Sequence, residues 1–243
     1  MKTLVTILHY NTPELTDNLY ETLKPYEKDI YDLAIIDNGS HADKKSKYAS
    51  YELEQNYFYG GGVSAILEMF LQSPQYDSVM ILNSDIICHG EDYIKTLRDE
   101  LFSGDFMIIS PCILEPYPGN QTCWKPMRPW HTNTTRQVPW IDFQAPLMQR
   151  KFVETLHPID LQLVYGWGID ILSGVLCEEN NWKIGVCDKV PSVHLISQTI
   201  KQNPEELSEV NSLAEKNMFE YFEKINKFPN FVDMRTRSFN YEI

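Results

Sequence analysis

Three apolar runs early in the chain, Leu4 to Leu8, Leu33 to Ile36 and Val79 to Leu82, each stop on polar residues and give way to a polar break or a helical pattern. Runs this short and this rich in aliphatic and β-branched residues read as buried strands. Strand alternating with helix requires a mostly parallel sheet covered on both faces. A chain built this way binds ligands outside the carboxyl ends of its strands, where these polar residues fall.

The intervening segments fit that plan. Thr12 reads as an N-cap with Pro13 at the first helical position, opening a helix whose Leu15, Leu19 and Leu23 share a face. A short strand is expected near Glu52 to Gln55. Gly60-Gly61-Gly62 then leads into a helix facing inward through Val63, Ile66, Leu67, Phe70 and Leu71. Glu91 to Phe102 reads as a helix and Phe106 to Ile109 as a strand. Glu115 to Pro139, with Pro116, Pro118, Pro126, Pro129, Pro139, Trp124, Trp130 and His131, reads as a long ordered loop. Beyond it the pattern predicts a strand over Ile141 to Met148, a helix over Ile169 to Asn180, and short strands over Lys183 to Cys187 and Val190 to His194. A last amphipathic helix, Glu205 to Lys224, carries Leu207, Val210, Leu213, Ala214, Met218, Tyr221 and Phe222 on its apolar side. There are no internal repeats.

At 243 residues the chain fits one large α/β domain, or one domain with a C-terminal appendage. Its net charge of -13 argues against nucleic acid as a partner, because phosphates need clustered Lys and Arg. The short basic stretches, Lys44 to Lys47 and the tail around Arg235 and Arg237, read as solvated surface. Five cysteines without a CxxC pair suggest neither a disulfide framework nor a zinc ribbon, and fit a reducing cytosol. The N-terminal apolar run is too short for a signal peptide, and no stretch approaches the roughly 18 apolar residues of a membrane span. Without secretion the sequons at Asn120 and Asn133 carry no weight.

Each polar cluster has a functional and a plain structural reading. Asp37 could accept hydrogen bonds from a base or ribose, with Gly39 admitting a close backbone approach; Asp-Asn-Gly-Ser is also a good tight turn. The glycines at 60–62 could present helix N-terminal amides to a phosphate, or be a flexible lead-in. Asp85 could hold a hard divalent cation that bridges a diphosphate, or cap a turn. Asp170, in Gly-Trp-Gly-Ile-Asp, could be a general base or a carboxylate favoured by the helix dipole. His194 could touch metal or diphosphate, or be a core histidine. Trp140, Asp142 and Gln144 alternate on the expected strand, so they could share one face at an acceptor site or belong to the core.

The combination is more specific than its parts. Strands ending in Tyr10-Asn11, in Asp37-Asn38-Gly39-Ser40 and in Asn83-Ser84-Asp85, Asn56 ahead of the glycines, and Tyr165-Gly-Trp-Gly-Ile-Asp with a Val-x-His end together resemble the family 2 glycosyltransferases of the GT-A fold. The resemblance covers about Lys2 to His194. It implies a three-layer α/β sandwich with a mostly parallel mixed sheet. The catalytic domain would be 1–197, with a nucleotide-sugar half at about 1–110 and an acceptor half at about 111–197, and 198–243 would pack on it as a C-terminal helix and tail.

It also implies an inverting, hexosyltransferase-like enzyme of polysaccharide or glycoconjugate biosynthesis that moves a sugar from a nucleotide-sugar donor to an acceptor hydroxyl. Tyr10, Asn11, Asp37, Asn38, Gly39, Asn56, Gly61, Asn83, Ser84 and Asp85 would bind the donor. Asn83-Ser84-Asp85 stands where the family has its DxD-type motif, so that Asp85 and His194 would hold Mn²⁺ or Mg²⁺. Asp170 stands where the family has its base, and Trp140, Gln144 and Trp167 would face a saccharide or lipid-linked saccharide acceptor. Such an enzyme would be cytoplasmic, with contact at the inner membrane face compatible with its acceptor. The competing reading is a noncatalytic nucleotide- or sugar-binding protein with a degenerate domain, motivated by Asn83 at the first acidic position and Ser64 after the glycines.

Overall fold

The computed structural model describes residues 1–27, 30–88, 91–114 and 123–242. In chain order the first half holds β1 (Lys2–His9), α1 (Pro13–Leu23), β2 (Tyr31–Asp37), β3 (Tyr51–Glu52), α2 (Phe58–Leu71), β4 (Tyr76–Asn83), β5 (Ile86–Cys88), α3 (Tyr93–Ser103) and β6 (Phe106–Leu114). The second half holds β7 (Thr135–Gln137), β8 (Leu147–Gln149), α4 (Arg150–Leu156), α5 (Ile169–Glu179), β9 (Lys183–His194), α6 (Gln198–Gln202), α7 (Pro204–Leu207), α8 (Val210–Lys224) and α9 (Phe228–Phe239).

These strands form one sheet in the order β3-β2-β1-β4-β8-β6-β9-β5, with β7 also on β9. β2 and β4 pair parallel to β1 on its two sides, β3 parallel to β2, and β9 parallel to β6. β8 runs against both β4 and β6, while β5 and β7 run against β9, so the sheet is mixed and mostly parallel. The chain leaves β1 for β2 on one side and later returns to β4 on the other. The crevice at the ends of β1 and β4 is therefore the switch point where such sheets bind ligands.

Period-two alternation builds the layers. Leu4, Leu8, Ala34, Ile36, Val79 and Ile81 face a core completed by α2, α4, α5, α8 and α9. Val5, Ile7, Leu33, Ile35, Met80 and Leu82 face the other, completed by α1 and α3. The central strands are thus apolar on both sides, which is why they read as unbroken runs.

Several boundaries differ from the sequence reading. Of the expected Ile141 to Met148 strand only Leu147 and Met148 pair as a strand, within β8; before them the carbonyls of Gln144 and Pro146 accept from the amides of Asn83 (3.0 Å) and Ile81 (3.0 Å). Pro146 has no N–H to return to a ladder. Lys183 to Cys187 and Val190 to His194 are one continuous strand whose register on β6 shifts between Pro111 and Ile113. The Glu205 to Lys224 helix is split into α7 and α8, and Leu213 is 37% exposed, off the apolar side. Thr12 precedes α1 but makes no side-chain cap; its hydroxyl meets the Ser84 hydroxyl at 3.0 Å. Within the long loop, 115–122, which hold Pro116, Pro118 and the Asn120 sequon, lie outside the described residues.

Candidate active site

A cavity of about 460 Å³ opens at the ends of β1 and β4 and runs beneath the segment after β9. Its wall includes Tyr10, Asn38, Asn56, Asn83, Ser84, Asp85, Trp140, Asp142, Gln144, Trp167, Asp170 and His194, so most of the residues singled out from the sequence meet in one place. Asn11, Asp37, Gly39 and Gly61 do not line it.

Those four positions have other contacts. Asn11 is 2% exposed: its side chain accepts from the His41 amide (2.9 Å) and donates to Asn203 (3.0 Å). Asp37 is fully buried, with one oxygen accepting from the Ser40 amide at 2.7 Å. Gly39 adopts φ +74°, and a Cβ there would stand 2.2 Å from the backbone of Gln55. The glycines at 60–62 lie inside α2, which starts at Phe58, rather than ahead of it. Gly60 donates its N–H to Val164 at 2.7 Å, so that amide is already used.

Asn38 and Asn56, both on the cavity wall, organise the start of α2. Asn38 donates to Asn56 (3.2 Å) and to the Phe58 carbonyl (2.9 Å), and its oxygen accepts from the Tyr57 amide (3.1 Å). Asp85 follows β4 and precedes β5, whose Ile86 is in register with His194. That pairing sets the His194 ring Nε2 3.3 Å from the Asp85 carboxylate, which also accepts from the Gln198 amide at 3.2 Å. Burial opposes ionisation of Asp85, but the hydrogen bond and charge of His194 and the Gln198 amide outweigh it and hold the carboxyl below its ordinary value.

Among the described residues, no three His, Cys, Asp or Glu side chains meet in a metal-binding arrangement. The donors that are present still suit a divalent ion shared with phosphates: the Asp85 carboxylate, the buried and unpartnered Asn83 side-chain oxygen, and the buried and unpartnered His194 Nδ1. Ions of the Mg²⁺ and Mn²⁺ kind take oxygen ligands and draw the rest of their shell from substrate phosphates and water.

Asp170 opens α5. Its Oδ1 accepts from the amides of Gly168 (3.1 Å) and Ile171 (2.8 Å), leaving Oδ2 without a hydrogen bond to a described residue. Gly168, at φ +94°, makes the turn that aims its N–H back at this carboxylate. Burial raises the Asp170 carboxyl to about 6, although the two amides and the positive charge of Arg235 pull against it. Asp142 accepts weakly from the Trp124 amide (3.4 Å) and the Gln144 side chain (3.4 Å). Burial, aided by the nearby Asp170 charge, pushes it up to about 8. Two carboxyls with separated titrations in one cavity are a common mark of acid–base chemistry.

The expected strand face that would unite Trp140, Asp142 and Gln144 does not exist, since 140–146 is irregular, yet all three reach the cavity. Trp140 is 1% exposed, packs edge-on to Trp124 at 5.4 Å and donates its indole N–H to the Met234 carbonyl (3.2 Å). Trp167 is 43% exposed at the mouth.

Sequence reasoning missed the contribution of the C-terminal segment. Ser197, Thr199, Leu207, Asn211, Met218 and Arg235 all line the cavity. Arg235, read as solvated surface, is only half-buried by exposure but faces inward; Arg237 does sit at the surface, paired with Glu178 (3.0 Å) and Asp233 (2.8 Å). The signal was available in α9, where Phe231 and Met234 mark the buried stripe and Arg235 lies one helical turn after Phe231.

No family model matches this sequence, and no curated protein matches it significantly. Solved structures do match in fold. The crystal structure of GalNAc-T7 with UDP, GalNAc and Mn²⁺ superposes with a TM-score of 0.65 at 12% identity, over 80% of this chain and 44% of that one. A197 from STIV superposes with a TM-score of 0.50 at 16% identity, over 81% of this chain and 87% of that one. The chain thus spans less than half the length of the GalNAc-T7 chain. The fold is that of the GT-A glycosyltransferases.

Proposed function

We propose that the chain is a glycosyltransferase that takes a sugar from a nucleotide-sugar donor and places it on an acceptor hydroxyl with inversion, as in the family 2 enzymes. The observation that carries this reading is the cavity itself. It brings the Asn83–Asp85 strand end and His194 together with the raised carboxyls of Asp170 and Asp142 at the switch point of a GT-A sheet. The likeness to GalNAc-T7, a structure holding UDP, GalNAc and Mn²⁺, agrees with a nucleotide-sugar donor.

In this reading Tyr10, Asn38 and Asn56 face the nucleotide, while Asn11, Asp37, Gly39 and Gly61 shape the walls behind them. Asp85, Asn83 and His194 would hold a divalent cation. When bound, that ion supplies positive charge to the departing diphosphate. Asp170 accepts the acceptor hydroxyl proton on Oδ2 while the amides of Gly168 and Ile171 hold Oδ1. The freed oxygen attacks the anomeric carbon from the face opposite the diphosphate. The bond from that carbon to the diphosphate oxygen breaks, its electron pair leaves with the nucleotide, and the anomeric configuration inverts. Asp142, protonated near neutral pH, can donate a hydrogen bond to the acceptor. Trp167, exposed at the mouth, offers a ring for stacking on a sugar, while the buried Trp140 backs the acceptor wall through Trp124 and the Met234 carbonyl. The acceptor in this reading is a saccharide, free or lipid-linked, and the work of the enzyme is glycoconjugate or polysaccharide assembly.

A panel of UDP, GDP, dTDP and CMP, each with and without Mn²⁺, tests the donor. A ligand at about 100 times its Kd stabilises the fold by roughly 2.7 kcal/mol. Asp170→Asn should keep that shift and lose turnover by about 100-fold or more, and in the parent enzyme turnover should fall as pH drops through about 6. Undiminished transfer by Asp170→Asn would remove the assigned base; a retained anomer in the product would remove inversion. A Mn²⁺-independent shift without transfer would favour the noncatalytic binding protein.

A further inference from the structure

Arg235 is the only arginine or lysine among the described residues that line the cavity. Four other arginines have partners, and Arg128, whose buried Nε has none among the described residues, does not line the cavity. Arg98 is clamped on Asp77, and Arg136 on Asp188 and the Pro126 carbonyl. Arg150 is held by the carbonyls of Phe70, Ser73 and Tyr76, and Arg237 by Glu178 and Asp233. Arg235 donates no hydrogen bond to a described residue and has no carboxylate at ion-pair distance. Its guanidinium carbon instead lies 5.4 Å from the Trp124 ring centre and 5.5 Å from that of Phe231. Ring contacts of this kind orient a guanidinium without using its N–H groups. A planar fork of donors held at a cavity wall, with no hydrogen bond to a described residue, is matched by a carboxylate or phosphate.

Resting on the transferase reading above, we propose that Arg235 binds an oxyanion, phosphate or carboxylate, carried by the acceptor molecule close to its reacting hydroxyl. Its surroundings belong to the acceptor end. Trp124 packs against Trp140, and the Trp140 indole donates to the carbonyl of Met234, the residue before Arg235. The Arg235 charge acts on Asp170, whereas Asp85 at the donor end has His194 and the Gln198 amide as its partners. Asp142 keeps its proton near neutral pH, so it does not compete for the guanidinium or repel an incoming anion.

The test is equilibrium binding to the full chain, measured for hexoses, their 1-phosphates, the matching uronates and a dodecyl phosphate, with the nucleoside-diphosphate panel run in parallel. The parent chain should prefer at least one anionic probe over its neutral counterpart by roughly 10- to 100-fold. R235Q should erase that preference and R235K should keep part of it, while both retain the nucleotide shift. Preference for a sugar phosphate or uronate places the anion on the saccharide; preference for dodecyl phosphate places it on a lipid carrier. A parent chain with no anion preference, or R235Q with the preference intact, overturns the proposal. Loss of the nucleotide shift in R235Q also overturns it, by moving Arg235 to the donor. A chain that binds no nucleotide yet loses anion preference with R235Q leaves the anion site standing and sinks the transferase reading instead.

Discussion

Asp142 and Asp170 show how one residue type takes opposite states within a single cavity. Asp170 has two backbone amides on one oxygen and a guanidinium nearby, and stops at about 6. Asp142 has only long contacts from Trp124 and Gln144, and reaches about 8. The consequence for stability follows from linkage. In the unfolded chain an aspartate titrates near 3.9. A carboxyl raised to about 8 in the fold therefore lends stability that is fully present below about pH 4 and lost as pH rises toward 8. Asp142→Asn cannot ionise and still accepts through its side-chain oxygen. Its melting temperature should match the parent's near pH 4 and exceed it increasingly up to about pH 8, where the difference levels off. For a chain of this size each kcal/mol corresponds to about 2–4 °C. Melting curves from pH 4 to 9 check this, and a difference that does not change with pH would mean Asp142 is not the buried acid described.

At the scale of elements, the approach of α2 to the turn at 161–164 fixes where Asp170 stands. Alanine for glycine in a helix gains up to about 1 kcal/mol by propensity. At Gly60 a Cβ would lie 2.0 Å from the Leu163 carbonyl oxygen and 2.9 Å from that of Val164, both backbone atoms. The contact wins, because neither carbonyl can swing away as a side-chain end can. Gly60→Ala should cost on the order of 2–3 kcal/mol and displace the stretch that leads through Tyr165 and Gly168 to Asp170. Turnover should then fall more than nucleotide affinity; a variant as stable and active as the parent would show that the turn gives way freely. The same packing explains what was legible beforehand. β1, β2 and β4 are buried on both faces, so their strength and their polar ends stood out as apolar runs. The glycines were visible as a signal, but whether they served a ligand or a neighbouring turn was decided by contacts more than 100 residues away, with Leu163 and Val164. The 140–146 stretch looked like a strand by alternation, and its irregular path follows from carbonyl-only pairing with β4.

For the whole molecule, the segment from 198 onward carries more of the fold than an appended tail would. Met218, Tyr221 and Phe222 of α8 and Phe231 and Met234 of α9 belong to the same core as α2, α4 and α5. Asn203 is buried against Asn11 at the end of β1, and Arg235 lines the cavity. This dependence was hidden in the sequence because α9 is short, opens with a proline at its second position and is largely polar outside its Phe231–Met234 stripe. Burying a large apolar side chain contributes about 1.5–3 kcal/mol, so those five together rival the 5–15 kcal/mol by which a domain is stable. Ending the chain after Ser197 would expose their partners: Gly168 against Met218 and Phe222, and Gly174 and Trp140 against Met234. The truncated chain should therefore lose cooperative melting and be cut by protease at residues that the full chain protects. Cooperative unfolding of residues 1–197 alone, with nucleotide binding intact, would instead make 1–197 a self-sufficient domain and reduce the C-terminal helices to a cover over the cavity.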